Sequence, residues 1–165
     1  MQLLNIIRKK YLFLLLMLPF YLFASERTLL EINASSEGIN KKYTLEALLT
    51  LPQYDVQTKL PWTQEAHIYS GPYLKDVLQS AKVEGGQLTL EALDYYSVSL
   101  DFQKIAKFNP ILALKKDGKA LTIRSKGPIW LILPIDDYPQ LNAAIYNDYM
   151  VWHLVKISVA AKEGN

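Results

Sequence analysis

The residues best equipped for chemistry in this sequence are aromatic. Of 165 residues, 11 are tyrosine and 3 are tryptophan, and several stand beside loop signals rather than in mid-strand. Trp62 follows Pro61 in a loop, and Tyr95 and Tyr96 lie at a strand junction. Trp130 comes just after Lys126-Gly127-Pro128, while Tyr149 and Trp152 open the last predicted strand. A loop aromatic offers a flat face for stacking and, in Tyr and Trp, a polar tip, which suits a flat heterocyclic ligand. Trp62 is the leading candidate, because loop side chains are available for binding. Trp130 and Trp152 are expected in the core. Arg124 and Lys126, converging on Gly127-Pro128, would set two cations beside a glycine backbone. That cluster suits an anion or a polar ring edge, or is simply two exposed charges at a strand end.

The common catalytic patterns are missing. No glycine-rich phosphate loop, G-x-S-x-G elbow or H-E-x-x-H helix occurs. His67 and His153 are far apart in sequence, without metal-ligand spacing, and read as surface or satisfied core histidines. Asp136-Asp137, just before Tyr138-Pro139, reads as a turn or cap rather than an acid pair. The cysteine count is zero, which removes disulfides, thiolate metal sites, iron–sulfur clusters and a cysteine nucleophile.

These residues must be positioned by a single domain. Half the residues are hydrophobic, which excludes disorder, and no repeat or linker appears after residue 25. Thr28–Asn33 is predicted as a first strand. Thr44 is predicted to cap a helix to about Thr50, with Leu45, Leu48 and Leu49 on one face. Short strands follow at Tyr54–Lys59 and Ala66–Tyr69. Pro72 is read as the first helical position of the clearest helix, with Leu74, Val77, Leu78 and Ala81 as its apolar stripe. Gly85-Gly86 breaks the chain. Strands are predicted at Leu88–Ala92 and Tyr96–Leu100, then a short capped helix over Asp101–Phe108. Ile111–Lys115 and Ala120–Arg124 flank the hairpin signal Asp117-Gly118. Ile129–Leu133 reads as a strand buried on both faces, and Trp152–Val159 as a last strand whose phase slips at a bulge. Strands dominate, with two or three short helices in no strict alternation, so the fold class is α+β.

Residues 1–24 read as a secretory signal. Arg8, Lys9 and Lys10 precede the apolar run Tyr11–Phe23 and then Ala24-Ser25. That run is shorter than the roughly 20 residues a spanning helix needs. An uncleaved anchor is the alternative. The domain, residues 25–165, is then exported, and a periplasmic location is expected. The whole chain has 18 basic and 16 acidic residues. Without the leader the balance is 15 to 16, which gives no basic face for nucleic acid.

Six motifs in order, from about Thr58 to Val159, resemble the molybdopterin-binding domain of the sulfite oxidase family. They are T-x-x-x-W, Y-S-G-P-Y-L-x-D-V-L, A-L-D-Y-Y-S-V, I-L-A-L-K-K-D-G-K, R-S-K-G-P-I-W-L-I-L-P and Y-x-x-W-x-x-x-x-I-x-V. More narrowly, the chain is similar to the small exported PruR-like pterin-binding proteins. The family's enzymes hold molybdenum through a cysteine thiolate, and Thr58 stands in that place here. A threonine hydroxyl is a poor substitute for a soft thiolate, so the resemblance implies a non-catalytic pterin or molybdopterin-like ligand site with no molybdenum expected. It implies Thr58 at the floor of a pterin slot and Trp62 lining it. The family loop usually written Asn-Asp before tyrosine reads Asp94-Tyr95-Tyr96 here, with Asp94 as the carboxylate for the pyrimidine edge. Arg124 and Lys126 match R-x-K-G-P and become ligand-edge or partner contacts. The implied function is sensing a pterin and regulating a membrane-bound receptor, a cyclic di-GMP enzyme or a histidine kinase, through its periplasmic domain. The alternative is a molybdopterin-dependent oxidoreductase with an atypical metal ligand set.

Overall fold

The computed structural model describes residues 27–160; the predicted signal, residues 1–24, lies outside the described residues. The largest sheet has five strands in the order β2-β1-β11-β5-β6. These are β1 (Leu30–Ala34), β2 (Ile39–Tyr43), β5 (Gln87–Ala92), β6 (Ser97–Asp101) and β11 (Leu154–Val159). β1 runs parallel to β11, and the other pairings are antiparallel. β1 alternates buried and half-buried residues, the period-two pattern of a strand with one face in the core.

The second sheet runs β3-β4-β8-β9: β3 (Tyr54–Thr58), β4 (His67–Gly71), β8 (Lys115–Lys116) and β9 (Lys119–Ala120). A two-stranded ladder joins β7 (Ile111–Ala113) to β10 (Trp130–Ile132), and all six residues are buried. β7 also lies against the end of β4, where Leu114 N–H donates to Ser70 O and Leu112 N–H to Pro72 O, at 2.8 and 2.9 Å. A Cβ on Gly71 would sit 2.0 Å from the Leu112 carbonyl oxygen, so only glycine permits this approach.

Among the described residues, four short helices complete the α+β fold: α1 (Leu45–Leu49), α2 (Leu74–Ser80), α3 (Phe102–Ala106) and α4 (Ala144–Tyr149). Their starts follow local chemistry where a cap exists. The Thr44 hydroxyl accepts from Ala47 N–H, and the Asp101 carboxylate accepts from Gln103 N–H. α2 buries Leu74, Val77 and Leu78 as predicted. The β11 bulge falls between Leu154 and Lys156.

Several sequence expectations need correction. α2 begins at Leu74 with Tyr73 as its cap, because Gly71 and Pro72 are held against β7. α1 buries only Leu48, with Leu45 and Leu49 exposed; a five-residue helix is too short to turn a full stripe inward. The strand predicted at Ala120–Arg124 ends at Ala120. A 3-10 turn over Ile123–Ser125 follows, closed by reciprocal bonds between Thr122 and Ser125. Tyr149 ends α4, and β11 starts at Leu154, after Trp152. α4 itself was not anticipated. It buries no side chain and has no side-chain cap, so no helical signal is present to read.

Candidate functional site

The β5–β6 turn, the loop after β3 and the segment from α4 to Trp152 meet around a cavity of about 300 Å³. Trp62, Tyr96 and Trp152 supply its aromatic walls, and Asp94, Asn147 and Asp148 its polar groups. The turn is shaped locally. Tyr95 takes a left-handed conformation, φ 67°, and the Asp94 carboxylate accepts from Tyr96 N–H at 3.3 Å, the short-range bond for which aspartate is favoured in turns. The Tyr96 hydroxyl donates to the Asp148 backbone oxygen at 3.3 Å, tying the turn to α4. Burial, with the Asp148 carboxylate adding to it, pushes the Tyr96 phenol above its ordinary pKa, so it stays a neutral donor. The Asn147 Oδ1 atom is buried without a hydrogen-bond partner among the described residues. A buried acceptor left unpaired is costly.

Beside this cavity the three tryptophans of the chain converge on one cation. Lys126 Nζ lies 4.9 Å from the Trp62 ring centre, 4.9 Å from Trp130 and 4.3 Å from Trp152. Trp130 is the fixed member, 3% exposed, with its indole N–H donating to Met150 O at 3.0 Å and its ring edge-on to Tyr69. Burial, and secondarily the nearby Lys116, lower the Lys126 pKa. The indole faces work in the other direction, because their quadrupoles favour the ammonium.

The backbone beneath is held in uncommon geometry. Lys126 and His153 both have positive φ, 70° and 54°, each at a cost of about 1–2 kcal/mol. They are linked: His153 N–H donates to Lys126 O, and Leu93 N–H donates to His153 O, at 3.2 and 2.9 Å. His153 Nε2 lies 2.9 Å from Ile123 O. A carbonyl only accepts, so Nε2 carries the proton. A Cβ on Gly127 would lie 2.4 Å from Leu121 Cβ, so the turn after Lys126 demands glycine.

The seven residues expected at the site divide into three groups. Trp62, Asp94 and Tyr96 line the cavity together. Lys126 packs against Trp62 and Trp152 without being a wall residue. Thr58, Tyr95 and Arg124 are not wall residues either. Thr58 is fully buried, and its hydroxyl accepts from Asp136 N–H at 3.2 Å while the Asp136 carboxylate accepts from Lys59 N–H at 2.9 Å. Tyr95 is 87% exposed, and Arg124 is exposed on the 3-10 turn. Trp130 is core, as expected. Trp152 is only half-buried and forms a cavity wall, because its strand contact is reduced to a single bridge with Trp130. Sequence reasoning missed Asn147 and Asp148, which sit on the unsignalled helix α4. The histidines have structural roles. His67 Nδ1 lies 2.8 Å from the Asp117 carboxylate.

No family model matches the sequence, and no curated protein matches it. Among solved structures, the chain is similar to the crystal structure of the sulfane dehydrogenase SoxCD from Paracoccus pantotrophus. The TM-score is 0.58 at 19% identity, covering 81% of this chain and 38% of that one. The fold is that of a sulfite oxidase-type molybdopterin domain. At this identity the likeness concerns the fold alone, and this chain spans well under half the length of that neighbour.

A molybdopterin-domain fold raises the question of whether its usual metal would fit. The donor set does not suit thiolate-bound molybdenum. The sequence has no cysteine, and Thr58 directs its hydroxyl to a backbone N–H from inside the core. Among the described residues, no group of three or more His, Cys, Asp or Glu side chains could hold a metal ion. The organic part of such a cofactor is a different matter. A flat bicycle with N–H donors on one edge suits aromatic walls and the Asp94 carboxylate.

Proposed function

We propose that this protein is a periplasmic, non-catalytic pterin-binding protein that reports ligand occupancy to a membrane-bound receptor. The observation that carries the ligand reading is the combination found in one cavity. Trp62, Tyr96 and Trp152 offer stacking faces, while the Asp94 carboxylate offers an acceptor. Pterins present a π-face and, at the pyrimidine edge, a 2-amino group beside a ring N–H. A carboxylate can accept both at once. The cavity volume lies at the lower end of the range for small-molecule sites.

The receptor reading rests on the resemblance to PruR-like proteins and is supported by the surface around the cavity. Leu93, Tyr95 and Ile123 are exposed apolar side chains, and His153 joins the Leu93 and Ile123 segments; exposed apolar side chains suit a protein partner. The partner would be the periplasmic domain of a cyclic di-GMP enzyme or a histidine kinase.

Titrating residues 25–165 with a reduced pterin, followed by tryptophan quenching and calorimetry, tests the ligand reading. Saturable one-to-one binding is expected, and absence of binding overturns it. Metal analysis of protein from a molybdenum-replete host tests the non-catalytic part. Stoichiometric molybdenum would favour an oxidoreductase instead.

A further inference from the structure

We infer that Lys126 is a positioning residue: its ammonium, enclosed by three indoles, holds Trp62 in place as a cavity wall instead of anchoring the ligand itself. The three rings are unequally secured. Trp130 lies in the buried ladder with its N–H bonded to Met150 O. Trp152 is bridged to Trp130 and leads into β11. Trp62 is on a loop, 42% exposed, and among the described residues its indole N–H has no partner. Its ring is held by neighbouring side chains: Trp130 at 6.2 Å, Trp152 edge-on at 5.6 Å, and the Lys126 ammonium at 4.9 Å.

Lys126 is suited to this task. Among the described residues no carboxylate is paired with the Lys126 ammonium to draw it away. The positive charge of Lys116 repels it. The three ring faces are its remaining attraction, all within the range where cation–π contacts act. The backbone that carries it is held by its left-handed conformation, by the His153 N–H bond to its carbonyl, and by Gly127 N–H donating to Thr122 O at 2.7 Å. The charge thus extends from a fixed backbone to lie against the two tryptophans that also wall the cavity.

The test uses residues 25–165 with Lys126→Met, which keeps length and loses charge, and Lys126→Arg, which restores charge. Lys126→Gln serves if Lys126→Met does not fold. The first readout needs no ligand: acrylamide quenching of the Trp62 emission, taken as the difference from a Trp62→Phe protein. Lys126→Met is expected to raise quenching, and Lys126→Arg to return it to the wild-type level. Unchanged quenching in a folded Lys126→Met protein overturns the inference. The second readout rests on the pterin reading and compares a neutral reduced pterin with its phosphate ester. A positioning role predicts that Lys126→Met weakens both by the same factor, about tenfold, with rescue by Lys126→Arg. A loss confined to the phosphate ester would mean direct anchoring and overturns it. If wild-type protein binds neither pterin, the pterin reading fails, and the quenching measurement still decides the role of Lys126.

Discussion

Replacing Trp62 by alanine separates binding from folding. The indole is 42% exposed, so somewhat over half its surface is buried, roughly 100 Å² more than alanine would bury. At about 25 cal/mol per Å² that burial contributes on the order of 2–3 kcal/mol to folding. A domain of this size has a stability of about 5–15 kcal/mol, so the variant remains overwhelmingly folded at 25 °C. The same substitution removes one stacking face of the cavity. Stacking of a flat heterocycle on an aromatic side chain is worth roughly 1–3 kcal/mol, a weakening of about 5- to 150-fold in Kd. Calorimetric titration with a reduced pterin measures the loss, and circular dichroism checks the fold in the same samples. Trp130→Ala is the contrasting control. That ring is 3% exposed, hydrogen-bonded through its N–H and packed on Tyr69. Its removal should cost about 3–5 kcal/mol of stability, seen in denaturant melts. A folded Trp62→Ala protein with unchanged pterin affinity would refute the assignment of this cavity as the pterin site.

Other positions give independent checks. The Tyr69 hydroxyl is buried without a partner among the described residues, and burial, assisted by the Asp117 charge, pushes its pKa up to about 12. Tyr69→Phe removes an unsatisfied group and should leave stability unchanged or raise it by up to about 1 kcal/mol; a clear drop in Tm would reveal a partner for that hydroxyl. The Asp117 carboxylate accepts from Ile68 N–H and contacts His67, and these bonds, the backbone one foremost, hold its pKa below the ordinary carboxylate value. Its contribution is therefore fully present above the unfolded-state pKa and is lost as pH falls through the lower folded-state value. Urea melts of wild type and Asp117→Asn between pH 5 and pH 2 should show a shallower acid loss in the variant, and parallel curves would refute this. Gly127→Ala should destabilise strongly, because the added Cβ meets Leu121 side chain and backbone within 2.4–2.8 Å. Thermal melts read this directly, and a Tm within a degree of wild type would contradict the close approach.

Much of the architecture was legible because its signals are local. Thr44 and Asp101 cap helices through bonds to nearby N–H groups. Asp117-Gly118 turns a hairpin with both residues at positive φ, and the phase slip in the last strand is a real bulge. Where local signal was absent or overruled, the reading failed. α4 has neither cap nor buried stripe, so Asn147 and Asp148 stayed invisible. The start of α2 was shifted by hydrogen bonds from β7, more than 30 residues away in sequence, which no helical rule registers.

The sequence by itself determined an α+β domain and the absence of any thiolate for a metal. It also marked Trp62 and Tyr96 as candidates, because residue identity and short-range spacing carry those facts, while Asp94 entered only through the family resemblance. Only the tertiary structure decided which candidates share a cavity. It set Tyr95 and Arg124 outside the walls and sealed Thr58 into the core. It also enclosed the Lys126 charge among Trp62, Trp130 and Trp152. These outcomes depend on bringing positions 62, 126, 130 and 152 to within a few ångströms. That is the work of long-range strand pairing and core packing, and no local spacing encodes it.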